Sequence, residues 1–324
     1  MQRITKYGEF EKEIPIMKKL LALTLAALMV FGMVACASNT DSTPADTSAP
    51  ADSQTTEQAD ASTEADASSE STEQADAPAE TLIFGTSADY APFEFMYPDD
   101  NGDMVYGGID VSVAEYIADY TGKTLQTENM AFDYLLASLQ KGDFDIVIAA
   151  MEATDERKEA ADFSDPYYTD YPPMILVKKE NADSYKTLAD FEGKSVGAQT
   201  GTTKADIVTN DMPGANLVAL QLVTDLINQL MYDKVDAVVV DGSVANQYVA
   251  ENDDFVIAEA SSELGAAEPY CVAVQKGDPK GLLPGINEAI AKINEENKIE
   301  EFIALADSLS GVAEEVSADT PAEG

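Results

Sequence analysis

The sequence predicts an α/β protein of two lobes, each a mainly parallel sheet flanked by helices. Three observations carry this expectation. Short apolar runs of strand length alternate with segments of helical periodicity, the pattern of βαβ units. One helix–strand unit occurs twice along the chain. Finally, 45% of the 324 residues are apolar, enough to fill the cores of one or two such lobes once non-globular ends are set aside.

Composition removes several function classes. The formal net charge is −41, histidine and tryptophan are absent, and there are two cysteines. Without histidine, His-dependent catalytic triads and His-based zinc sites are excluded, and no cofactor or metal is expected. The scattered lysines and strong acidity would repel phosphate backbones and anionic headgroups, so nucleic acid is not an expected partner.

The first segment reads as a leader. From Met17 the chain runs MKKLLALTLAALMVFGMVAC, with Lys18 and Lys19 ahead of an apolar stretch over 20–34 that ends in small residues, the pattern of a secretory signal peptide. That stretch is shorter than the roughly 20 residues of a spanning helix. Residues 1–16 do not fit ahead of such a leader, and Met17 is the better start. MVAC resembles the bacterial lipobox, although Met33 stands where leucine is usual, and the resemblance makes Cys36 the lipidated mature N-terminus. Residues 1–36 are therefore expected to be extension and signal peptide. Residues 37–80 are almost wholly Ala, Ser, Thr, Asp, Glu, Gln and Pro, and cannot bury enough apolar surface to offset the entropy of ordering. They are expected to be a disordered tether, with a second acidic tail over 313–324. Only Cys271 then remains, and one thiol forms no intramolecular disulfide.

The folded part begins with a buried strand at TLIFGTS, 81–87. A helix over 110–120 follows, with Val113, Tyr116, Ile117 and Tyr120 at helical spacing and Gly122 placed to end it. A second helix near 132–139 leads through Lys141 and Gly142 into the strand DIVIAA. The pattern recurs: KSVGAQTG at 194–201 reads as an opening strand, and a helix over 225–232 runs into DAVVVD. LLASLQKGDFDIVIAA from Leu135 and LINQLMYDKVDAVVVD from Leu226 share leucines, the pre-strand Asp145 and Asp236, and the apolar strand at one offset. Generic buried parallel strands could produce the same match by chance. In open parallel sheets ligands bind beyond the carboxyl ends of strands. Segments 87–93, 150–157, 199–204 and 241–243 follow such ends.

Those segments resemble the bacterial polar amino-acid-binding proteins that serve ABC importers. GTSADYAPFEF, YGGIDVSVAEYIA, FDIVIAAMEATDERKEAADFSDPYY, VGAQTGTTKAD and VDAVVVDGSVA stand in that family's order and spacing over about 81–305. The resemblance implies a two-lobe periplasmic-binding-protein fold of type II with a two-strand hinge. The first lobe would be discontinuous, 81–172 with 269–312, and the second would span 173–268. It implies a free amino acid and ABC permease subunits as partners, membrane attachment through Cys36, an extracellular or periplasmic site of action, a monomer, and no catalysis.

The resemblance also implies roles. Arg157 clamps the ligand carboxylate, which suits a guanidinium fork that stays charged, although a surface pairing with Glu156 or Glu159 is the plainer alternative. Asp241 meets the ligand ammonium, or only caps the following helix. Thr203 adds a second carboxylate contact near backbone N–H groups. Tyr90 and Phe132 sandwich the ligand side chain, or simply fill core. Ala150 and Gln199 complete the cleft. Ser87 replaces an aspartate of many relatives, and Glu152 replaces Ser or Thr beside the ammonium site. A glutamate there adds negative charge and favours arginine or lysine slightly over a neutral polar ligand, unless it turns outward or pairs with Arg157. Two other functions share the architecture: a cyclohexadienyl or arogenate dehydratase with Glu152 as general acid, and a ligand-sensing lipoprotein. Decarboxylated product from prephenate or arogenate would identify the first, and absence of neighbouring permease and ATPase genes would favour the second.

Overall fold

The run at 81–87 forms β1 (Thr81–Thr86) in a computed structural model that describes residues 79–319, with side chains through residue 310. The leader with Cys36 and all but the last two residues of the 37–80 segment lie outside the described residues. After β1 come a hairpin of β2 (Phe95–Pro98) and β3 (Met104–Gly107), then α1 (Ile109–Tyr120) and β4 (Thr124–Asn129). A 3-10 turn enters α2 (Leu135–Lys141), which leads to β5 (Ile146–Val147), α3 (Asp155–Ala160) and β6 (Ala161–Tyr168). The chain continues through β7 (Met174–Lys178), β8 (Ser195–Gln199), α4 (Thr203–Asn210), β9 (Asn216–Leu220) and α5 (Val223–Met231). It closes with β10 (Ala237–Val240), α6 (Gly242–Glu251), β11 (Phe255–Ile257), β12 (Tyr270–Gln275), α7 (Leu283–Glu295) and α8 (Lys298–Asp319).

Two five-stranded sheets result, ordered β4-β1-β5-β12-β6 and β11-β7-β10-β8-β9. The chain passes from the first to the second between Tyr168 and Met174 and returns between Ile257 and Tyr270. In each sheet the βαβ strands pair in parallel, and the strands beside the crossings pair antiparallel. Each sheet is therefore more mixed than the sequence suggested. The reason is connectivity: a strand that enters straight from the other sheet, without a crossover helix, can run against its neighbours.

The central strands form because β-branched and apolar residues buried on both faces leave no polar side to solvate. All four residues of β10 are buried. Helices cover the sheets with residues at helical spacing, Val223, Leu226, Ile227 and Leu230 on α5 and Ile286, Ala289, Ile290 and Ile293 on α7. The recurring unit is visible atom for atom. Asp145 accepts the Ile83 N–H at 2.7 Å and Asp236 accepts the Ser195 N–H at 2.9 Å, so each pre-strand aspartate ties its strand to the opening strand of its own sheet.

Two elements depart from expectation. The strand predicted over 145–150 shortens to Ile146–Val147, since Ala150 takes φ 43°, the left-handed region, and its N–H turns to the Asp110 carboxylate at 2.6 Å. Residues 313–319, expected in a disordered tail, continue α8, in keeping with the helix-forming Ala and Glu there.

Candidate functional site

The loops after β1, β5, β8 and β10 meet where the two sheets face each other. Arg157 is delivered by α3, whose first turn is capped by Thr154 Oγ1 accepting the Arg157 N–H at 3.2 Å. Its guanidinium stands 5.2 Å over the Phe132 ring. Nη1 donates to the Glu152 carbonyl at 3.0 Å and to Glu152 Oε2 at 2.8 Å, while Nη2 reaches across to the Gly201 carbonyl at 3.2 Å. Gly201 has φ 77° and lies so close to Asp133 that a Cβ would come within 3.2 Å of it, which suits glycine at this crossing point.

Asp241 follows β10 at the N-cap position of α6, yet its side chain makes no cap bond. Its Oδ2 accepts the Tyr90 hydroxyl at 2.7 Å and pairs with Lys204 Nζ at 2.7 Å. The capping duty passes to Asp170, which accepts the Ser243 N–H at 3.0 Å and the Ser243 hydroxyl. Glu152 Oε1 in turn accepts Thr203 Oγ1 at 2.8 Å and Lys204 Nζ at 2.7 Å. Asp89 accepts the Val223 N–H at 2.6 Å at the start of α5. Arg157, Glu152, Asp89 and Tyr90 follow strands of the first sheet, and Thr203, Lys204, Val223 and Asp241 follow strands of the second. The bonds of Arg157 to Gly201, Tyr90 to Asp241, Glu152 to Thr203 and Lys204, and Asp89 to Val223 therefore run from lobe to lobe, while Arg157–Glu152 and Lys204–Asp241 each lie within one lobe.

Between them lies a cavity of about 10 Å³, room for about one water molecule, lined by Tyr90, Phe132, Ala150, Glu152, Gln199 and Asp241 among others. Arg157 and Thr203 line a wider opening of about 610 Å³ on one side. The four charged residues are buried: Arg157 is 9%, Glu152 6%, Lys204 5% and Asp241 4% exposed. Burial of this kind is tolerable only with close opposite charges. Desolvation pushes the Glu152 carboxyl up, but Lys204 and then Arg157 outweigh it and hold the group at about 2. Burial alone would lower the Lys204 ammonium, and Asp241 with Glu152 raise it instead. Glu94, 1% exposed and also on the cavity wall, is pushed well above the carboxylate range by burial and by Asp110. Two cations thus face two carboxylates. Among the described residues no group of carboxylate and thiol side chains is arranged to hold a metal ion.

Several expectations change. Glu152 is not an uncompensated negative charge, because Lys204 and Arg157 neutralise it. Held near 2, it is ionised at neutral pH and has no proton to donate as a general acid. Ser87 reaches neither opening. Its hydroxyl donates at 3.2 Å to Asp89, which in its place meets the second lobe. Tyr90 spends its hydroxyl on Asp241, and Phe132 supports Arg157, in addition to lining the cavity. Gln199 lines it too and donates to the Gln221 carbonyl at 2.9 Å. The sequence reading overlooked Lys204, Asp89 and Glu94. A signal existed for Lys204: a cation in the first turn of α4 opposes the helix dipole and needs nearby carboxylates.

Both the sequence and the fold have known relatives. Residues 82–304 match the model of the bacterial extracellular solute-binding proteins, family 3. The arginine-binding extracellular protein ArtP of Bacillus subtilis is 30% identical over 291 residues, 88% of this chain and 96% of that protein. A crystal structure of an amino acid ABC transporter substrate-binding protein from Streptococcus pneumoniae bound to L-arginine is 36% identical. It superposes with a TM-score of 0.67 over 71% of this chain and 94% of its own. An ancestral arginine-binding protein bound to glutamine is 38% identical, with a TM-score of 0.61 over 68% of this chain and 95% of that one.

Proposed function

This chain belongs to the bacterial extracellular solute-binding proteins, family 3, and from that premise we propose that it captures L-arginine, or a closely similar cationic amino acid, between its lobes. It is a binding protein of an amino-acid ABC importer rather than an enzyme, working outside the cytoplasm with the importer's permease subunits. One observation carries the amino-acid reading: Arg157 and Asp241, opposite in charge and on different lobes, are the two ends of one bonded series that runs from Arg157 through Glu152 and Lys204 to Asp241. A guanidinium is suited to an α-carboxylate, and a carboxylate to an α-ammonium. With the space between them near that of one water, an amino acid reaches both only when the lobes part about the two crossing strands and close again.

Arginine is chosen from the relatives, not from Glu152. ArtP is an arginine-binding protein, the pneumococcal protein is bound to L-arginine, and an ancestral arginine-binding protein is bound to glutamine. We assign the lobes to 81–172 with 269–312 and to 173–268, an assignment supported by the two crossings between sheets. We assign lipid attachment to Cys36, supported by the MVAC motif at the end of the apolar stretch. A monomer suffices, since both halves of the clamp come from one chain. The test is a thermal-shift screen of the twenty amino acids followed by calorimetry. Arginine should give the largest shift. A screen in which only neutral amino acids bind would refute the ligand, and one in which none binds would refute the site.

A further inference from the structure

The clamp groups are each engaged by a side chain of opposite charge from the chain itself. Arg157 and Thr203, read as the carboxylate holders, both bond the Glu152 carboxylate, at 2.8 Å each. Asp241, read as the ammonium holder, pairs with the Lys204 ammonium at 2.7 Å. Glu152 and Lys204 are themselves joined at 2.7 Å, one from each lobe. A carboxylate on the guanidinium and an ammonium on the aspartate reproduce the charge pattern of an α-amino acid.

We propose that Glu152 and Lys204 form a resident zwitterion mimic: an internal competitor that latches the lobes together and that an incoming amino acid must displace. A purely structural ion pair is a poor explanation of this arrangement. Buried ion pairs often contribute no more stability than apolar residues of the same volume, and switching is their better-attested use. The latch also has a definite energetic effect. Apparent affinity falls by the fraction of protein that is unlatched, so a latch holding ten molecules for every one released weakens binding about tenfold. The inference rests on the reading of the cleft as an amino-acid site, and its test separates the two.

The double variant Glu152→Thr with Lys204→Gln removes the mimic. It leaves Tyr90 on Asp241, and leaves Arg157 its bonds to the Glu152-position and Gly201 carbonyls. On the full chain freed of copurified amino acids, L-arginine titrated by calorimetry should bind the double variant about tenfold more tightly than the wild type. Small-angle scattering without amino acid should show the double variant more expanded, and arginine should contract it. Unchanged or weaker arginine binding by the double variant would overturn the latch, since these residues would then be bystanders or ligand contacts. Equal dimensions of the two proteins without amino acid would overturn it as well. If neither protein binds any amino acid while the double variant is still the more expanded, the cleft reading fails and takes the competitor with it, leaving only an ion pair that ties the lobes together. Should the double variant not fold, Lys204→Met, which keeps the aliphatic stem, is read by the same two measurements with the same expected directions and the same refuting results.

Discussion

Asp241→Asn isolates the charge on the ammonium side of the clamp. The asparagine has nearly the volume of the aspartate, and its carbonyl can still accept the Tyr90 hydroxyl, now 2.7 Å from Oδ2. The packing term is therefore small, and the main loss is the negative charge at a residue 4% exposed. Truncating one member of a buried charge pair costs about 2–5 kcal/mol, or about thirtyfold to several thousandfold in Kd. In the free protein, Lys204 also loses this carboxylate and keeps Glu152 at 2.7 Å, which raises the energy of the unbound state and offsets part of the loss. The expected weakening for L-arginine is accordingly at the lower end, about thirtyfold. Calorimetry on wild type and variant at one salt concentration measures it, with circular dichroism and a thermal melt to verify folding. A folded variant whose Kd stays within about threefold of wild type would remove Asp241 from the ammonium site.

Further outcomes follow from the same geometry. Arg157→Ala should weaken arginine binding at least about thirtyfold, and Arg157→Lys should recover only part of it because an ammonium lacks the two-donor fork; a wild-type titration by the alanine variant would contradict the carboxylate assignment. Glu152 sits below its ordinary value of 4.5, at about 2, so its contribution to stability is full above 4.5 and is lost as pH falls through about 2. The amount is on the order of 3 kcal/mol. Urea midpoints of wild type and Glu152→Gln should therefore approach one another as pH falls from about 5 toward about 2; a constant gap would mean that Glu152 is not held by Lys204 and Arg157. Cys36→Ser should move the protein from the membrane to the soluble fraction and abolish incorporation of labelled lipid, and an unlabelled wild type would refute the anchor.

Much of the fold was legible because it depends on local periodicity. Apolar runs at 81–87 and 236–241 and helical spacing over 110–120 are each set within a few residues, and the repeat around Asp145 and Asp236 identified equivalent strand ends, where loops must converge. The same logic located Arg157, Thr203 and Asp241, and the family resemblance supplied their roles. What the sequence alone could not decide is how the two lobes' charges meet. Glu152 read in isolation is a surplus negative charge; folded, it lies against Lys204, 52 residues away along the chain, and that charge is compensated. Asp89 rather than Ser87 reaches the second lobe, through an N–H 134 residues away. The end of β5 at Ala150 depended on a carboxylate 40 residues upstream. Periodicity is a property of neighbours along the chain, whereas the partner of a buried charge is set by which loops the sheets bring together, and only the tertiary structure decided that.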